Sequence, residues 1–173
     1  MITEQAKLYD YEDEISYVFA GQVITRENEG VLYSTPLGSC IAVLTYDMKT
    51  GTGGMAHIML PGKAPRKGLN QNRYAVNAIN TLISKLGEKG VNPEKLKVCL
   101  IGGANVLRKQ NDIIAKQLTD NVLKITAGNN LKIAATSLGG FKRRSAKLYL
   151  NTGIVTITIG NSFEKILYKF TED

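Results

Sequence analysis

A chain of 173 residues, 43% hydrophobic and 21% charged, has the makeup of one globular domain able to bury a core without staples. Two cysteines are too few for a disulfide framework, MITEQAKLYDYEDE at the N-terminus does not read as a secretory signal, and no apolar run approaches the ~18 residues of a membrane span; a cytoplasmic location without membrane insertion is expected by elimination. The formal charge of +7 is uneven, since residues 1–30 hold seven acids against two bases, and a basic body favours an acidic partner surface.

Residues 1–17 read as an acidic tail or edge segment, and 18–173 as a single domain. YVFAGQVIT (17–25), GVLYST (30–35) and CIAVLTYD (40–47) read as strands, rich in β-branched and aromatic residues. MKTG is a turn, and GMAHIML (54–60) is a short strand stopped by Pro61-Gly62. A polar loop, GKAPRKGLNQN, follows. Ala75, Ile79, Leu82, Ile83 and Leu86 recur at helical spacing, with Gly87 and Gly90 closing the pattern. LKVCLIGG (96–103) is a buried strand running into paired glycines. Ile113, Ile114, Leu118 and Val122 form the apolar face of a second helix, capped by Asn111 or Asp112. LKIAATSL (131–138), AKLYL (146–150) and IVTITIG (154–160) return to strands, the last two joined at Asn151-Thr152-Gly153. This order predicts an α+β sheet-and-helix sandwich, not a regular parallel α/β fold.

The chemistry concentrates between Thr35 and Pro61. Cys40 follows the polar turn STPLGS and opens a strand, a junction where a rigid element can hold a reactive side chain at the edge of a core. Gly38 and the successive N–H groups around Ser39-Cys40 could form an anion-binding nest. His57, the only histidine, lies in the strand that returns after the 49–54 turn. Antiparallel pairing would bring imidazole to thiol, the route to a thiolate–imidazolium pair. A third group must then fix the ring's tautomer; Ser34, Thr35, Ser39 and Asp47 are the polar candidates.

Other chemistries fail on context. GTGGMA matches a dinucleotide-binding pattern but precedes a strand, not a helix. Two cysteines and one histidine do not make a structural zinc site, there is no P-loop, and no cofactor is called for. Cys99, inside KVCLIG, reads as core. Without a tryptophan, a recognisable motif or a single basic stripe, a nucleic-acid module is disfavoured. The glycine pairs of IGGAN and LGGFKRRS could shape a cleft, with Lys142, Arg143 and Arg144 beside it.

Taken together, LGSCIAVLTYD…GGMAHIMLP, NRYAVNAINTLISKLGEKG, IGGAN and GGFKRRSAKLYLNTGIVTI closely resemble the CheD family of chemoreceptor glutamine deamidases, over roughly residues 20–160. The resemblance implies a β-sandwich core with flanking helices, like the deamidating-toxin-like cysteine hydrolases. It implies Cys40 as nucleophile and His57 as base. The family's third member, a threonine six residues before the cysteine, corresponds to Ser34, with Thr35 the equivalent if the register differs. Thr35, Ser39 and Arg144 are the implied substrate contacts. Where the family often has an acid before its C-terminal glycine pair, Ser137 stands here, and the family's I-G-x-x-N element is blurred at IIAKQ (113–117). The implied partners are the cytoplasmic helices of a chemoreceptor (a methyl-accepting chemotaxis protein) and a CheC-type phosphatase. The competing reading is an adaptor that binds both without deamidating.

Overall fold

A computed structural model describes residues 14–68 and 70–172. Ten strands form two five-stranded sheets. The first sheet has the order β1 (Ile15–Tyr17), β3 (Val31–Leu37), β8 (Arg144–Tyr149), β9 (Ile154–Ile159) and β10 (Lys165–Lys169). The second has the order β2 (Val23–Glu27), β5 (Thr52–Ile58), β4 (Ile41–Asp47), β6 (Lys97–Gly102) and β7 (Lys132–Leu138). Pairing is antiparallel except for β1 with β3 and β6 with β7.

Side-chain alternation sorts the core into two layers. Leu32, Ala42, Leu44, Met55, Cys99, Ile101, Leu148 and Val155 meet between the sheets. Ile41, Val43, Ile58, Val98 and Leu100 point the other way, onto α1 (Ala75–Glu88) and α2 (Ile113–Gly128). The second sheet is therefore buried on both faces, which is why β4 and β5 read as nearly unbroken apolar runs. Each fully buried Leu or Ile here contributes about 1.5–3 kcal/mol of transfer free energy. The GG of GGMAHI has a packing origin: a Cβ on Gly53 would strike Leu150 and Leu148, and one on Gly54 would strike Leu82. These glycines let both layers close on β5.

The α+β sandwich with flanking helices is as expected. Several elements differ in detail. The predicted strand at 17–25 is two strands in different sheets, because the chain turns at Ala20-Gly21, with Gly21 at φ 80°. The expected acidic tail lies mostly outside the described residues, but Ile15–Tyr17 at its end pair with Val31–Tyr33 as an edge strand. β10 was not expected from the sequence. Asp112, not Asn111, caps α2, its side chain accepting from Ala115 N. The buried stripe of α2 begins at Ala115 and continues through Leu118, Val122 and Thr126. Ile113 and Ile114 fall on the first turn, ahead of that stripe, and are exposed.

Candidate active site

Strand parity turns three polar side chains toward the gap between the sheets. Ala42 pairs with His57 across β4 and β5, so His57 faces the gap between the sheets with Ala42. Cys40 is two residues before Ala42 and packs against the same inter-sheet cluster. It is thus a diagonal neighbour of His57, a relation that spans about 7–8 Å between strand positions. From the opposite sheet, Ser34 follows Leu32 by two and also points inward, at 0% exposure.

Ser34 Oγ lies 2.8 Å from His57 Nδ1 and donates to the carbonyl oxygen of Val18 at 2.9 Å. That carbonyl is also 3.1 Å from Nδ1. A carbonyl can only accept, so an unprotonated Nδ1 would set two lone pairs against each other. Nδ1 therefore carries the hydrogen in the neutral ring, and Nε2 holds the lone pair. Nε2 is buried and has no hydrogen-bond partner among the described residues. The main chain fixes the ring from behind: His57 N donates to Gln22 O at 3.0 Å, and His57 O accepts from Gly21 N at 2.8 Å.

Cys40 is held by its backbone. Its carbonyl accepts from Gly103 N at 2.9 Å, and Gly38 O accepts from Ala104 N at 2.8 Å. Gly102, at φ 126°, packs so close that a Cβ there would overlap the Cys40 carbonyl oxygen. The glycines of IGGAN thus seat the turn that carries the thiol.

Burial raises the Cys40 thiol pKa, partly offset by its own backbone hydrogen bond. Burial lowers the His57 pKa, partly offset by the Val18 carbonyl. Both shifts favour the neutral forms, thiol and imidazole, over the thiolate–imidazolium pair. Cys40 is half-buried and Cys99 is buried, its thiol pushed up to about 12.

Thr35 is exposed on the opposite side from Ser34, in a cavity of about 370 Å³ with Tyr33, Pro36, Arg143, Arg144, Ser145 and Thr158. It does not reach His57; the ladder between β3 and β8 shifts after Ser34, at the proline that cannot donate to it. Ser39 is half-buried beside Cys40. Asp47 sits at the far end of β4, roughly 20 Å of strand away, where it caps Thr50. Arg144 is only 9% exposed. Its guanidinium turns inward and donates to Ser137 Oγ, Gly139 O and Lys142 O at 2.8, 2.8 and 3.3 Å; it braces the glycine loop and lines the same cavity as Thr35. The Val18 carbonyl was not foreseen.

A family model described as "CheD chemotactic sensory transduction" matches residues 59–159. The chain is 40% identical over 153 residues, 88% of its length and 76% of the relative's, to a probable chemoreceptor glutamine deamidase CheD of Chlorobium luteolum. The chain belongs to the CheD family. It is also 32% identical over 136 residues (77% of this chain, 84% of the relative) to the chemoreceptor glutamine deamidase CheD of Thermotoga maritima. To a probable CheD deamidase of Methanococcus maripaludis it is 33% identical over 135 residues (76% and 87%). The CheD family model begins just after His57, whereas an alignment over 88% of the chain necessarily spans Ser34 to His57.

Proposed function

We infer that this CheD-family chain is a chemoreceptor glutamine deamidase, a protein-glutamine glutaminase that hydrolyses receptor glutamine side chains to glutamate with release of ammonia. The observation that carries the mechanism is the His57 ring held at Nδ1 by Ser34 and the Val18 carbonyl, with Nε2 unpartnered among the described residues and a half-buried thiol on the same face.

Cys40 Sγ attacks the carboxamide carbon as Nε2 takes the thiol proton. The new S–C bond gives a tetrahedral oxyanion, which N–H groups of the Ser39-Cys40 turn stabilise. Collapse breaks the C–N bond, and Nε2–H returns the proton to the leaving nitrogen, which departs as ammonia. Water then attacks the thioester, giving its proton to Nε2. The S–C bond breaks, the thiolate regains that proton, and glutamate remains. Ser34 and Val18 hold the ring through both halves and accommodate its transient positive charge. Each turnover adds one negative charge to the receptor, the kind of local change that biases a two-state signalling element.

The substrate glutamines lie on the receptor's cytoplasmic helices, and a CheC-type phosphatase is the second partner that the family resemblance implies; co-purification with each tests these assignments. Among the described residues no helix is long and apolar enough to cross a membrane. The proposed site of action is the cytoplasm, where the receptor helices that carry the glutamines lie. Mass spectrometry of a receptor fragment tests the activity: a gain corresponding to NH₂ replaced by OH at glutamine, present with the native protein and absent with Cys40→Ala, is the expected result. No change with either protein would favour the adaptor reading.

A further inference from the structure

The strand directions gather several connections at the end of the sandwich that carries Cys40. Ile41 at the start of β4 pairs with Ile58 at the end of β5 and with Gly102 at the end of β6, and Gly102 pairs with Leu138 at the end of β7. The connections that leave those three strand ends are basic. Lys63, Arg66 and Lys67 follow β5, Arg108 and Lys109 follow β6, and Lys142 and Arg143 follow β7; all are exposed. The one carboxylate in these connections is Asp112, whose oxygen caps α2. None of the seven bases forms an ion pair among the described residues.

The connections are pinned. Gly62 N donates to Asn121 Oδ1 at 2.7 Å, Asn105 N donates to Gly140 O at 2.9 Å, and the Arg108 guanidinium lies 5.4 Å from the centre of the Phe141 ring. Charge at the opposite end is mixed: Glu27 pairs with Lys89, Asp47 is near Lys49, and Glu88 and Glu94 alternate with Lys89 and Lys95 along the chain. The excess of base therefore belongs to the end of the fold where the thiol lies.

We propose that this basic ring docks an acidic polypeptide segment and selects glutamines flanked by Asp and Glu. The inference rests on the deamidase reading for what the segment carries, and on charge alone for how it is chosen. Neutral amide hydrolysis at Cys40 does not call for seven unpaired cations around it, whereas capture of an extended anionic surface does. A substrate held in this way binds less tightly as salt screens the exposed charges.

The test uses two labelled peptides of equal length, one with the glutamine among glutamates and one with it among serines and alanines. Binding is measured by fluorescence anisotropy to the Cys40→Ala protein, and deamidation with the native one. The acidic peptide is expected to bind at least about 10-fold tighter at low salt and to lose that advantage as salt rises toward ionic strengths where the Debye length is about 3 Å. Lys63→Gln/Arg66→Gln/Lys67→Gln and Lys142→Gln/Arg143→Gln are expected to raise KM for the acidic peptide, while Lys95→Gln/Lys132→Gln at the other end is not. Equal, salt-independent binding of the two peptides would overturn the proposal, as would tighter binding of duplex DNA or phosphatidylserine vesicles than of the acidic peptide. Absence of deamidation in both peptides would instead remove the deamidase reading, and the anisotropy comparison would still decide the charge selection.

Discussion

Ser34 Oγ and His57 Nδ1 stand 2.8 Å apart across the gap between the two sheets. The hydroxyl is one of two groups on that nitrogen, the Val18 carbonyl being the other. Ser34→Ala is therefore expected to lower kcat without abolishing it, falling short of the about 10²–10⁴-fold loss from removing a general base altogether. His57→Ala should show that full loss, and Ser34→Thr, which keeps the hydroxyl, should retain most activity. Ammonia release under saturating substrate measures all three. A Ser34→Ala protein as active as the native one would show that the carbonyl alone orients the ring.

The two thiols should react in a fixed order. Cys40 is half-buried and Cys99 is sealed in the core with its pKa pushed up to about 12. Alkylation of the native protein should label Cys40 alone, and Cys99 only after unfolding. Because burial also raises the Cys40 pKa, its labelling rate should climb with pH through and beyond the ordinary thiol range near 8.5. A fast, pH-independent rate in mild acid would indicate a preformed thiolate–imidazolium pair and contradict the neutral resting state.

Stability should depend on pH through His57. Burial holds its pKa below the ordinary value, against the opposing pull of the Val18 carbonyl. The unfolded chain then takes up a proton at a higher pH than the folded one does, so folding stability falls as pH drops below about 6.5 and levels off under the lowered folded value. The neutral imidazole's contribution is fully present above that window. Denaturant melts from mildly acidic to neutral pH should show this slope, and His57→Gln should flatten it.

Gly102→Ala tests the seating of Cys40, the proposed nucleophile. The added methyl would meet the Cys40 carbonyl, at a backbone φ of 126° that side chains rarely adopt. The substitution should cost at least about 2 kcal/mol of stability and reduce kcat by moving the thiol. Thermal denaturation and turnover at a temperature where the variant is folded separate the two effects. An unperturbed melting temperature would mean the Gly38–Cys40 turn yields more easily than its hydrogen bonds to Gly103 and Ala104 suggest.

Much of this site could be read from residue order because β4 and β5 are buried on both faces. Their apolar runs marked them as neighbouring strands, and a reversal at 49–54 placed Cys40 and His57 near one another. The choice between Ser34 and Thr35 could not be read in the same way. It depends on parity within β3, and the ladder shift after Ser34 changes that parity relative to β8. Ile113 and Ile114 carry the right spacing for a buried stripe, but periodicity does not say where along a helix its support begins. The Val18 oxygen left no trace at all: every residue has a carbonyl, and only the turn at Ala20-Gly21 aims this one at the ring. In residue order Arg144 looks like its neighbours Lys142 and Arg143, both exposed, whereas strand pairing with Leu37 leaves it largely buried at the wall of the Thr35 cavity.

Cys40 and His57 belong to one sheet and Ser34 to the other, so the machinery of the proposed mechanism is assembled only by tertiary closure. A chain in which the second sheet and its helices have folded while β3 and β8 are still loose would hold a thiol and an imidazole without the hydroxyl that steadies them. On the proposed mechanism, catalytic competence requires both sheets to be closed on one another, and a partly opened molecule would be a poor hydrolase of the glutamines it meets.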